Sequence, residues 1–135
     1  MKALNTPDIP SPDANEYIYK ILKLEEWATL TNAGEFKGSQ DDLRDGFIHL
    51  STQEQLQSTL DKYYTSAHTQ GEDIVIAKVA VAGLVENLRY ELARKTLYFP
   101  HLFVPLKRRD IAEFKTIKVD ASGRYDAGFI MSEKA

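Results

Sequence analysis

Three stretches of the chain carry ionisable side chains among apolar ones, and these are the positions where it can do chemistry. The first is Asp45-Gly46-Phe47-Ile48-His49-Leu50-Ser51-Thr52. Read as a strand, it turns His49 and Ser51 to one face and Ile48 and Leu50 to the other, toward a core. Gly46 supplies permissive backbone before it, and Ser51 with Glu54 reads as a capping box opening a helix. An imidazole, a hydroxyl and the unpaired amides of a helix start form a donor set suited to a sugar or a phosphate. The second stretch is Leu88-Arg89-Tyr90-Glu91-Leu92, and the third runs Tyr98-Phe99-Pro100-His101-Leu102-Phe103-Val104-Pro105. Glu91 is a carboxylate able to hold a ribose hydroxyl or to stabilise positive charge developing on a sugar carbon. His101 follows Pro100, whose missing backbone donor implies a strand edge or a turn, where ligands reach. A site made of His49, Glu91 and His101 requires the three stretches to meet in space.

Each signal has a plainer alternative. His49 can be a strand histidine satisfied by a backbone carbonyl, with Ser51 no more than a cap, and Arg89 with Glu91 can be an exposed ion pair worth little. His68, in the loop after a helix, receives no role. His49, His101 and Glu91 are suitable ligand types for zinc or iron, and a metal-dependent hydrolase on His49 and His101 is one reading. No short-range pair of the H-x-x-x-H kind supports it, so no metal is expected. Asp41, Asp42 and Asp45 lack the spacing and terminal glutamate of a calcium loop. No nucleophile elbow, Walker loop or dinucleotide-binding glycine fingerprint occurs.

The elements that must position these residues read as follows. Tyr17-Ile18-Tyr19-Lys20-Ile21-Leu22 is aromatic and β-branched and predicts the first strand. Leu24, Trp27, Ala28 and Thr31 recur at helical spacing, and Gly34 stands where a left-handed C-terminal cap is wanted. Residues 34–46 read as a long polar connection. Leu56, Leu60, Tyr63 and Tyr64 predict a helix over 53–67 that packs on the sheet. Residues 73–81 are apolar on both faces, as in a central strand. Strands follow at 88–92, 98–104 and 113–119, with turns at 83–87 and 120–123. The fold class is α+β, with two main helices in the first half and a sheet-rich second half that lacks regular strand-helix alternation. Residues 1–16, with Pro7, Pro10 and Pro12, read as a flexible tail, 17–125 as a single globular domain and 126–135 as a C-terminal tail.

Composition bounds the function. A chain of 135 residues with 43% hydrophobic content can build one core. A formal charge of -3 without a dominant basic stripe argues against general nucleic-acid binding, since only Lys107-Arg108-Arg109 and the lesser pair Arg94-Lys95 cluster. The chain has no cysteine, so no disulfide or thiolate site is available. No apolar run reaches the roughly 18 residues of a membrane span, and no secretory signal is visible, so the expected location is cytoplasmic.

The order Tyr19-Lys20-Ile21, Trp27, Ala33-Gly34, Gly38-Ser39, Asp42, the run 45–52, Glu91 and Phe99-Pro100-His101 resembles a small bacterial family known as domain of unknown function 952. The likeness spans nearly everything from Tyr17 to Val119. That family is grouped with the ADP-ribosyltransferase-like fold, so the resemblance implies mixed and antiparallel sheets. The layout is also similar to RNA 2'-phosphotransferases of that fold, in which a strand reads His-x-His-Leu. Here the strand is Phe47-Ile48-His49-Leu50: His49 matches the second histidine, Phe47 replaces the first, and Lys20 stands where the first strand carries His or Arg. A lysine still donates to a hydroxyl or phosphate as a flexible point charge.

The resemblance implies a cytoplasmic protein that binds NAD, ADP-ribose or a related phosphorylated ribose. Glu91 and His49 are then the expected catalytic residues, and Lys20, Ser51, Thr52 and His101 the expected ligand-binding ones, with NAD the expected substrate in a cleavage of the nicotinamide glycosidic bond. The alternative of another class is a non-catalytic nucleotide-binding or interaction module built on the same residues.

Overall fold

The aromatic and β-branched run near the start forms β1, Tyr17–Lys23, in the computed structural model of the chain, which describes residues 9–93 and 97–128. Helix α1, Leu24–Ala33, follows directly and ends on Gly34, whose φ of 80° supplies the left-handed cap expected from its position. The connection expected as loop contains two elements, β2 at Glu35–Phe36 and α2 at Gln40–Asp45. Helix α2 forms because Ser39 caps it and Gly46, at φ 86°, stops it one turn later. Strand β3 is only Ile48–His49.

The helix expected over 53–67 is divided. A 3-10 turn at Gln53–Gln55 leads into α3, Leu56–Tyr63, and a separate short helix α4 spans Ser66–Thr69. The cap also lies one residue later than expected: the Thr52 amide donates to Gln55 Oε1 at 3.0 Å. Ser51 is withdrawn from capping because its backbone pairs with Tyr19, N to O at 2.9 Å and O from N at 2.8 Å.

Strands β4 (Ile74–Ala80), β5 (Leu88–Ala93), β6 (Leu97–Leu102), β7 (Leu106–Lys107) and β8 (Ile111–Ile117) complete the chain. They form three antiparallel sheets, ordered β1-β4-β8, β2-β7 and β3-β6-β5. β4 is central, as its two-sided apolar pattern predicts: Ala77 and Val79 enter one core with Ile18 and Leu22, while Ile74 and Ile76 enter a second with Leu56 and Leu60. The architecture is α+β with few helices.

Pro100 lies on a central strand, not on an edge. β6 pairs with β5 on one side and β3 on the other. On an antiparallel strand N and C=O of one residue face the same neighbour. Pro100 O accepts from Leu50 N at 3.0 Å, so its missing N–H also faces Leu50, where the short β3 has ended. The ladder loses one bond at its terminus.

Both expected domain limits move outward. Val81 N donates to Glu16 O at 3.0 Å and Asn15 Nδ2 to Tyr90 Oη at 2.7 Å, so the segment before β1 is docked. At the other end Tyr125 and Ala127 are buried, and Gln57 clasps them with its Nε2 on Tyr125 O at 2.9 Å and its Oε1 on Ala127 N at 2.8 Å. Residues 1–8 and 129–135 of the expected tails, and the basic pair Arg94-Lys95, lie outside the described residues. Among the described residues no helix is long and apolar enough to cross a membrane.

Candidate functional site

Residues 48–51 stitch two sheets together, pairing first with β6 and then with β1. His49 lies on this stitch, directly across from His101. Because Leu50 and Pro100 form the hydrogen-bonded neighbour, His49 and His101 occupy the non-hydrogen-bonded type of pair, in which side chains approach most closely. Their ring centroids are 5.4 Å apart. Strand register brings Arg89 opposite His101 and Glu91 opposite Phe99, so all three expected stretches share one sheet face.

Each imidazole rests on a carboxylate. His101 Nδ1 lies 2.7 Å from Glu91 Oε1, and His49 Nδ1 lies 2.6 Å from Asp42 Oδ1. His49 Nε2 is in turn 3.0 Å from Asp45 Oδ2. Only a ring carrying both protons donates to both of these carboxylates. Phe47, which stands where the first histidine of the resemblance is expected, stacks on His101 at 4.0 Å and tilts against His49 at 4.6 Å.

Asp42 organises the site, although it is not among the expected site residues. It is 2% exposed and uses both oxygens twice. Oδ1 takes the His49 amide at 3.1 Å as well as the ring, while Oδ2 takes the Ser39 amide at 2.9 Å and Lys20 Nζ at 2.9 Å. The Asp42 amide closes the cap on Ser39 Oγ at 3.1 Å. Burial alone pushes this carboxyl upward, but the His49 hydrogen bond, the Lys20 charge and the Ser39 amide together hold it well below the usual carboxylate range. The sequence signal is Ser39-x-x-Asp42 between Gly38 and Gly46, a capping box whose acid turns inward. Gly38, at φ 135°, is required there, because a Cβ would fall 2.7 Å from Asp42 Cβ.

Lys20 is 4% exposed, and its ammonium also donates to His49 O at 3.0 Å. Two of its three protons are thus committed, and one remains. Arg44 bridges Asp41 at 3.1 Å and Asp45 at 2.9 Å, and its hydrogen bond holds Asp45 below the usual carboxylate range. For His101, burial lowers the imidazole below its ordinary value of 6.5, against the opposing pull of Glu91.

A cavity of about 540 Å³ opens beside this cluster and is lined by Lys20, His49, Ser51 and His101. Its far wall comes from α3 and α4, through Thr59, Lys62 and His68 among others, so His68, given no role in the sequence reading, joins the site. Ser51 Oγ donates to Thr59 Oγ1 at 3.3 Å across the gap. Two expected site residues do not line the cavity. Thr52 is taken up in the start of the helix that follows it, and Glu91 stands behind His101 with its side chain 46% exposed. Among the described residues no group of three or more His, Asp or Glu has the geometry to hold a metal ion.

Fold and site together define an α+β domain with a cavity at the junction of two antiparallel sheets. The sequence profile of the family described as "Protein of unknown function (DUF952)" matches residues 21–114, and the chain belongs to that family. It is similar to the crystal structure of protein CC0527 from Caulobacter crescentus, with 37% identity and a TM-score of 0.78, over 86% of this chain and 98% of that one. The solution structure of CC0527 gives 36% identity and a TM-score of 0.75, over 89% of this chain and 100% of that one. A comparison with curated proteins finds no match.

Proposed function

We propose that this domain has an ADP-ribosyltransferase-like fold and that its cavity binds NAD, ADP-ribose or a related phosphorylated ribose, cleaving the nicotinamide glycosidic bond of NAD. The observation that carries this reading is the cross-strand pair His49 and His101, two carboxylate-held imidazoles 5.4 Å apart on the wall of a cavity. Its volume of about 540 Å³ is in the range of small-molecule sites. Ser51 Oγ, whose proton is given to Thr59, accepts from a ribose hydroxyl, and the His49 ring borders that hydroxyl on the same wall. The remaining Lys20 proton, with Lys62 and His68 on the far wall, meets phosphate. The adjacency of the first-strand cation and the His49 strand supports the resemblance, since Lys20 Nζ lies 3.0 Å from His49 O.

In this reaction an oxocarbenium-like sugar forms as the pair of electrons of the C–N bond leaves with nicotinamide, and water closes on the sugar carbon. The carboxylates of the site favour the positive sugar electrostatically.

The second reading, a non-catalytic nucleotide-binding module, draws on two observations: Lys20 is bound to Asp42, and Glu91 lies outside the cavity, so no carboxylate of the later strand reaches a ligand. Titration calorimetry with ADP-ribose, paired with a nicotinamide-release assay, separates the two. Binding with release that vanishes in His49→Ala is the expected result. Binding without release assigns the module, and absence of both removes this ligand class.

A further inference from the structure

We infer that His101 is the general base of the cavity and that Glu91 is its positioning residue, a division of roles that rests on the ligand class proposed above. The geometry separates the two imidazoles. Both nitrogens of His49 face carboxylates, Asp42 at 2.6 Å and Asp45 at 3.0 Å. His101 has only Nδ1 so engaged, at 2.7 Å from Glu91. With Nδ1–H donated to Glu91, the lone pair of the neutral ring resides on Nε2. Among the described residues that nitrogen has no partner and no buried side-chain nitrogen or oxygen is left unpartnered, so Nε2 reaches open space, and the space that His101 borders is the cavity. Phe47, stacked at 4.0 Å, fixes the ring plane. The base is therefore oriented by a carboxylate on one edge and a ring on one face, as an acceptor held for one direction.

The groups that face His101 come from three elements: Glu91 and Arg89 on β5, His49 on β3, and Asp45 at the end of α2. Burial keeps the ring neutral, and Glu91 opposes that effect. In the cleavage of NAD, a water proton passes to His101 Nε2 while the water oxygen bonds to the sugar carbon. The C–N pair departs with nicotinamide, and the proton then returns to solvent. The products are ADP-ribose, nicotinamide and one proton, so the step balances without a cofactor.

The test is pH-dependent acylation of the whole chain by diethylpyrocarbonate, which attacks neutral imidazole nitrogen, with each histidine followed by peptide mass spectrometry. The expected result is that His101 reacts with a midpoint below 6.5, that His49 is slower, and that saturating ADP-ribose protects His101. In Glu91→Gln the midpoint of His101 falls further, because the group that raises it is gone; a purely structural Glu91 leaves the midpoint where it was. An unreactive His101 beside a labelled His49, or an unchanged midpoint in Glu91→Gln, overturns the inference. His101→Gln, checked for a native circular dichroism spectrum, loses nicotinamide release at least a hundredfold with ADP-ribose binding retained; release near the wild-type rate also overturns it. If the wild-type protein releases no nicotinamide, the function proposed above falls, and the labelling result still decides whether His101 is the base.

Discussion

Asp42 Oδ1 lies 2.6 Å from His49 Nδ1, and that one contact joins a short capped helix to the strand at the junction of two sheets. The same carboxylate holds Lys20 at 2.9 Å, so a buried cation and acid and a half-buried imidazole form a single network. In a network of this kind, removal of one partner costs more than its share, because the others are left buried and uncompensated.

Asp42→Asn is expected to destabilise the domain by about 3–5 kcal/mol, the range for breaking a buried ion pair. The double variant Lys20→Met with Asp42→Asn recovers part of that loss, since the stranded ammonium is removed with its partner. Urea denaturation of the three proteins measures the coupling, and strictly additive losses exclude the network.

Gly38→Ala tests how α2 is placed. The added Cβ meets Asp42 Cβ at 2.7 Å in a backbone region closed to alanine. A cost of about 1–3 kcal/mol is expected, together with a shift of the His49 ring resonances as Asp42 is pushed away. A wild-type His49 spectrum in this variant shows that Asp42 is not positioned by the turn.

Two half-buried or buried groups of the site, His101 and Asp42, contribute to the acid side of stability, both with folded values below their ordinary ones. His101 is lowered from 6.5, so the unfolded chain binds a proton first as pH falls, and stability declines from about that pH downward. Asp42 is lowered from 3.8, so its contribution is complete above that value and is lost as pH falls below it. Thermal melts from pH 8 to 5 have a shallower slope in His101→Gln than in wild type, and the steep loss near pH 3 is reduced in Asp42→Asn. Equal slopes remove His101 from the account.

Tyr125→Ala tests the C-terminal limit of the domain. Tyr125 is 1% exposed, packs beside Leu56 and Leu60, and bonds Thr69 Oγ1 at 2.6 Å and the Glu72 carbonyl. A loss of about 3–5 kcal/mol is expected, as for other large core truncations. A chain ending at residue 123 loses at least as much. Wild-type stability for either protein returns residues 124–127 to the status of a tail.

Local pattern was enough for the backbone of the fold. Aromatic and β-branched composition marks β1, the two-sided apolar character of 73–81 marks central β4, short apolar runs mark β5 and β6, and Gly34 marks the end of α1. The same alternation places His49 and Ser51 on one strand face and Arg89 with Glu91 on another, which is information carried by neighbouring residues alone. Whether those faces coincide is set by strand pairing between residues 52 positions apart, and by nothing in either segment.

The remaining decisions belong to tertiary structure, because each was a choice between partners. Ser51 had the composition of a cap, but pairing with Tyr19 took its backbone and passed the cap to Thr52. Pro100 had the mark of an edge residue, and was accommodated on a central strand because the neighbouring strand ends there. Asp42 had the look of a solvated loop acid until Lys20 and the His49 strand closed over it. Its sequence determined that this chain is an α+β domain of its family, with ionisable residues set among apolar ones in three separate stretches. The packing of α2 against the junction of two sheets decided that Asp42 and Asp45 hold His49, and the pairing of β5 with β6 that Glu91 holds His101, since burial makes a charge costly until a partner arrives.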